Sequence, residues 1–180
     1  MRQAEWAGGP AWPGGAALLP GFYLNELLMR LMVRHDPHPI LFDAYAQTLH
    51  AMGDPALLQA ALRAFELTLL RQLGHLPQLS VQTVDSRPVV AGKPYELHPD
   101  LGVREALWLG EPGAGPVVLD GQVLMAIEQA LSLVGGIPAL MAACMPALSE
   151  LKALLRTLIH YHLGSQTLRT RQLMMELQQP

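Results

Sequence analysis

The sequence predicts a mainly α fold: a helical bundle with a loop-rich excursion in its middle, which has room for one small hairpin. Three observations carry that prediction. Leucines and other apolar residues recur every three or four positions through both ends of the chain, the spacing of one helix face. Hydrophobic residues make up 51% of the 180 and charged ones 15%, so the chain can fill an interior rather than stay disordered. Between residues 75 and 119 the helical spacing lapses, and prolines and glycines are scattered among short β-like runs.

Taken in order, residues 1–20 (rich in Gly, Pro and Trp, with Trp6 and Trp12) have no period and read as an irregular lead-in. The first helix is predicted over about 21–34, with Leu24, Leu27, Leu28 and Leu31 as its stripe and Glu26, Arg30 and Arg34 in supporting i,i+4 order opposite. His35 to Pro39 breaks the chain, because Asp36 precedes a proline. The second helix, about 39–52, has Ile40, Tyr45 and Leu49 on its apolar side, with Leu41, Ala44 and Thr48 beside it. Asp54 as cap and Pro55 as first residue open a third helix over about 55–73, which Gly74 stops. After the irregular stretch 75–119, with VVAGKPYEL and GPVVLDG as its strand-like pieces, Asp120 caps a helix over about 121–134 with Val123, Ile127 and Leu131 as stripe. A long helix follows over 146–163 through Leu148, Leu151, Leu155, Leu158 and Ile159, stopped by Gly164, and a last one over 168–177.

Ala130 to Leu148 carries no charge and approaches the length of a membrane span. Gly135-Gly136, Pro138 and Pro146 interrupt it, so it reads as two short buried pieces and no membrane partner is expected. A single cysteine, Cys144, excludes an intrachain disulfide and a cysteine zinc site, and suits a reducing cytoplasm. The net charge of −3 gives no global basic footprint, so any nucleic-acid contact must come from a local patch.

Chemistry-bearing motifs are sparse. His160 and His162 are two apart and point to different helix faces, and His35 and His38 flank prolines, so none of them has the i,i+4 pairing of a helical metal site. No phosphate loop, dinucleotide fingerprint or nucleophile elbow is present; no enzyme, cofactor or metal is predicted. Two basic features remain, each open to two readings. Arg63, one turn before Glu66, is either half of a surface ion pair or a guanidinium at the lip of an apolar groove, suited to a peptide with carboxylates and aromatics. Lys152, Arg156, Arg169 and Arg171 are either a solvated helix face complementing helix C-terminal dipoles or a phosphate-facing patch for DNA.

Four stretches in this order resemble the RecO family: GFYLNELLMRL from Gly21, HPILFDAYAQTL from His38, LRAFELTLLRQLGHLPQL from Leu62 and LIHYHLGSQTLRTRQLMMEL from Leu158. The resemblance runs from about Leu18 to Leu177. It implies a non-enzymatic mediator of DNA repair and homologous recombination in the RecF pathway, working in the cytoplasm at the nucleoid. Such proteins bind single- and double-stranded DNA, partner with RecR, bind the acidic, Phe-ending tail of the single-stranded-DNA-binding protein, and help load RecA onto coated strands. The family also implies an N-terminal OB-fold before a helical domain. On that pattern residues 1–20 are the remnant of the last OB-fold strand with a linker, and 21–180 the helical domain; the missing OB-fold is expected to weaken DNA binding and the RecR contact. LSVQTVDSRPVV has no cysteine where some relatives carry a four-cysteine zinc site, and LRTR stands for the family's LKSR with its charge kept. Arg63 falls in the LRxFE pattern, which implies a partner-peptide site at Arg63, Phe65 and Glu66. The competing expectation is a helical scaffold or interaction domain without mediator activity.

Overall fold

From Ala60 to Leu70 every residue of the third helix is buried, and the fold is built around that helix. The computed structural model describes residues 15–33, 35–106, 116–133, 135–164 and 168–176. The elements are α1 (Leu18–Leu31), α2 (Pro39–Ala51), α3 (Leu58–Gln72), β1 (Pro94–His98), β2 (Gly102–Glu105), β3 (Val118–Asp120), α4 (Gly121–Leu131), α5 (Ile137–Cys144), α6 (Leu148–Leu163) and α7 (Arg169–Glu176). Leucines, alanines and Phe65 lie on all sides of α3, with Arg63, Glu66 and Thr68 buried among them, so the helix must be enclosed by others. Accordingly α2, α5 and α6 pack against it. Its end is as the sequence predicts: Gly74 has φ +73°, and the His75 amide donates to Leu70 O at 2.8 Å, closing the carbonyls of the last turn.

The start of α3 departs from prediction. The helix opens at Leu58 rather than Pro55, and Asp54 Oδ1 accepts from the Ala56 amide at 2.9 Å in a local turn instead of capping the helix. In α2 the buried line is Leu41, Ala44 and Thr48, while Ile40 is 58% exposed. The two candidate stripes lie side by side on one helix, and contact with α3 and α5 selects between them. The first helix starts at Leu18 and ends at Leu31, with Pro20 in its first turn where no amide is needed. Trp6, Trp12 and Arg34 lie outside the described residues.

The excursion after α3 is more ordered than an irregular stretch. β1 pairs antiparallel with β2 as a hairpin and with β3 on its other edge, Tyr95 facing Glu105 on one side and Leu119 on the other. Tyr95, Leu97, Val103 and Leu119 join the helical core. The two strand-like pieces of the sequence, VVAGKPYEL and GPVVLDG, hold β1 and β3, whereas β2, the hairpin partner of β1, is not singled out. Asp120 caps α4 as expected, accepting from the Gln122 amide at 2.6 Å. Arg71 grips Glu128 with both ends of its guanidinium, at 3.0 and 2.6 Å, and the Leu79 amide donates to the same carboxylate at 2.7 Å. One ion pair thus joins α3, the excursion and α4.

The uncharged segment becomes the end of α4, a glycine turn, α5 and a 3-10 turn at Met145–Ala147. Ile137–Leu163 is the one stretch among the described residues long and apolar enough to cross a membrane. That turn interrupts it, and its leucines enter the core against α3. α6 follows its predicted stripe closely, and Gly164 ends it with φ +62°.

Candidate functional site

Arg63 and Glu66 project from the central helix, so neither reaches the surface. Their side chains are 8% and 1% exposed, and Arg63 Nη1 approaches Glu66 Oε2 at 2.9 Å. The approach is a charge contact without hydrogen-bond alignment, which leaves Glu66 Oε2 and Arg63 Nε enclosed without a hydrogen-bond partner. Tyr23 of α1 donates to Glu66 Oε1 at 2.7 Å. Burial pushes the Glu66 carboxyl up, while the Arg63 charge, the Tyr23 hydroxyl and Lys152 pull it back. Burial likewise raises the Tyr23 hydroxyl, and it pushes the neighbouring Cys144 thiol up to about 12, so that cysteine is an inert core residue. Both sequence readings of Arg63 are therefore corrected: it is neither a surface pair nor a groove lip but part of a charged knot tying α1 to α3. Phe65 is fully buried beside it, edge-on to Tyr45 at 6.0 Å. The leucine-and-aromatic context of LRAFE fits a groove wall and a core helix equally, and burial decides between them.

The four predicted DNA contacts fall on two helices. Lys152 and Arg156 lie one turn apart on the exposed side of α6. Arg169 is exposed at the start of α7; Arg171 belongs to α7, with its side chain outside the described residues. Among the described residues Arg30, Arg63, Arg71, Arg87, Lys93 and Arg104 each meet a carboxylate within 4.0 Å, whereas Lys152, Arg156 and Arg169 meet none. Lys152 still acts on the Glu66 carboxyl at longer range, and Arg63, which the sequence also singles out, is paired.

Between α1 and α7 lies a cleft of about 420 Å³, walled by Leu19, Phe22, Met29 and Leu173, with Arg30, Arg169, Glu26 and Thr170 also lining it. Met29 is 83% exposed. Glu26 binds the first turn of α7: it accepts from the Arg169 amide at 2.9 Å and from the Thr170 amide and hydroxyl at 2.9 and 2.7 Å. Burial pushes its carboxyl up, but these three donors and the Arg30 charge outweigh that and hold it below the ordinary value. A carboxylate on helix N-terminal amides is a favourable arrangement, and it carries α7 onto α1. Sequence reasoning missed this role, because Glu26 and Thr170 are 144 residues apart and only the i,i+4 pair with Arg30 is local.

His160 and His162 do point apart: His160 is exposed, and His162 stacks on His75 with ring centroids 3.9 Å apart. Among the described residues no group of three or more His, Cys, Asp or Glu side chains is assembled for a metal ion.

Comparison with known proteins adds to this geometry. A family model described as "Recombination protein O C terminal" matches residues 15–93. The chain is 45% identical over 180 residues to the DNA repair protein RecO of Polaromonas naphthalenivorans, covering 99% of this chain and 70% of that protein. It is 46% identical to the protein of the same name from Polaromonas sp. strain JS666, with the same coverage. The Verminephrobacter eiseniae RecO is 45% identical over 182 residues, covering 99% of this chain and 69% of the relative.

Proposed function

This chain belongs to the RecO family and serves DNA repair as a recombination mediator, and we propose that it does so through two surfaces that meet at Arg169, one for DNA and one for a partner peptide. The mediator binds DNA and protein partners. Its DNA surface is formed by Lys152 and Arg156 on α6, with Arg169 and Arg171 on α7. The observation that carries this is that, among the described residues, Lys152, Arg156 and Arg169 have no carboxylate within 4.0 Å while every other described arginine and lysine has one. A cation without a carboxylate gives up little when a phosphate replaces its water and counterions.

The partner peptide is the acidic, Phe-ending tail of the single-stranded-DNA-binding protein. Its dock is the α1–α7 cleft rather than Arg63, Phe65 and Glu66, which are enclosed. Apolar walls suit a Phe side chain, and a rim carrying Arg30 and Arg169 suits carboxylates. RecR is the second protein partner, and loading of RecA onto coated single strands, at the nucleoid in the cytoplasm, is the outcome served.

Fluorescence anisotropy tests both surfaces. With labelled duplex DNA over a range of salt, the triple variant Lys152→Ala, Arg156→Ala, Arg169→Ala should lower the salt slope by about 0.9 for each phosphate that is no longer neutralised. An unchanged slope refutes the DNA surface. With a labelled tail peptide, Met29→Glu should abolish saturable binding; retention of full affinity by that variant refutes the dock.

A further inference from the structure

The cleft between α1 and α7 has a sulfur atom in its wall. Leu19, Phe22, Glu26 and Met29 follow one another along α1 at helical spacing, so they share the face that lines the cleft. Glu26 holds the first turn of α7 with its carboxylate, and Met29 stands one turn beyond it. Met29 is 83% exposed, the highest value among the exposed large hydrophobic residues described. Of the other methionines with described side chains, Met125 and Met145 are about half exposed but lie outside the cleft, and Met52 and Met141 are buried. The one thiol, Cys144, is enclosed in the core, where burial pushes it up to about 12, so it stays protonated and shielded. A thioether needs no deprotonation to react, so access decides which sulfur meets an oxidant first, and Met29 has the most.

We propose that Met29 is an oxidation site, and that a peroxide closes the α1–α7 dock by converting its thioether to the sulfoxide. The inference rests on the peptide dock proposed above and adds its regulation. With hydrogen peroxide, Met29 Sδ attacks one oxygen and the O–O bond breaks as the S–O bond forms. The proton on the transferred oxygen passes to the departing one, which leaves as water. Sulfur gives up two electrons and the peroxide takes them. A dithiol reverses the step: it is oxidised to a disulfide, and the oxygen leaves as water. The apolar wall suits a Phe ring only while it has no polar atom to cover. A sulfoxide oxygen accepts hydrogen bonds from water, and a ring laid over it strips that water without supplying a donor. Phosphate contacts at Lys152 and Arg156 involve no sulfur, so the DNA surface is untouched by the same reaction.

The test uses the full chain, hydrogen peroxide, peptide mapping by mass spectrometry, and anisotropy with two labelled probes, an acidic Phe-ending peptide and duplex DNA. Each protein is compared with itself before and after treatment. Sulfoxide should form at Met29 ahead of Met125 and Met145. Treated wild-type protein should bind the peptide about tenfold more weakly and the duplex as before, and methionine sulfoxide reductases with dithiothreitol should restore the peptide affinity. In Met29→Leu, peroxide should leave that variant's own peptide affinity unmoved. Full oxidation of Met29 with no change in peptide affinity overturns the switch, as does an equal peroxide-dependent loss in Met29→Leu. Oxidation of Met125 or Met145 ahead of Met29 overturns the site. Failure of the untreated wild-type protein to bind the peptide is a separate result, which overturns the dock and the switch with it.

Discussion

Replacing Glu26 by alanine should free α7 without unfolding the rest of the chain. The carboxylate accepts three hydrogen bonds from the first turn of α7, at 2.9, 2.9 and 2.7 Å. Losing a helix N-cap costs about 0.5–2 kcal/mol. The upper end applies here, because Thr170 is 9% exposed and its amide and hydroxyl are left with little water to replace the carboxylate. A loss of about 2 kcal/mol corresponds to about a thirtyfold rise in opening. Hydrogen exchange read by mass spectrometry should show that rise in peptides covering α7, with α3 unchanged, since α7 packs chiefly on α1 while α3 is central. The dependence on acid has a definite sign. Seating lowers the Glu26 carboxyl, so the detached form binds the proton more readily, and the seating energy is present above the ordinary carboxylate range and lost as pH falls through the depressed value. In Glu26→Ala that acid-induced release of α7 should vanish. Wild-type exchange across α7 in the variant would refute the reasoning, as would loss of protection throughout α3.

The other predictions concern the interior. Arg63→Ala strands the Glu66 charge in the core and should cost about 3–5 kcal/mol in urea unfolding, whereas Arg63→Met with Glu66→Leu should recover most of it; equal losses in both would contradict the buried knot. Tyr23→Phe removes the one hydroxyl that donates to Glu66 Oε1 and should cost about 1–3 kcal/mol by the same assay, with no change expected only if water reaches that oxygen. Burial and then the charge of His75 lower the His162 imidazole, so the unfolded chain takes up its proton first and stability is lost as pH falls below the ordinary histidine range; His162→Phe should flatten melting temperature against pH there. A Cβ on Gly121 would lie 2.1 Å from Val90 O and 2.9 Å from Tyr95 Cε2, so Gly121→Ala should cost about 3 kcal/mol and lower the melting temperature by about 6–12 °C; an unchanged melt would mean that the backbone at Val90 and the Tyr95 ring yield easily.

Much of the helical skeleton is local information. Gly74 and Gly164 stop helices because a left-handed residue closes the last carbonyls, Asp120 caps α4 because its side chain reaches an amide two residues on, and the α6 stripe is a matter of spacing. These depend on neighbours within one turn, so the amino-acid order alone determines them. Depth and long-range pairing are different in kind. An apolar stripe says that a face wants cover but not how much cover arrives, so α3 is enclosed all round and takes Arg63 and Glu66 into the core with it. In α2 two stripes were available and the contact with α3 and α5 chose Leu41, Ala44 and Thr48 over Ile40. Glu26 on α7, Tyr161 on Asp100 and β3 on β1 join residues far apart in the chain. Such contacts form only after loop closure and packing have brought the partners together, so tertiary structure decided them.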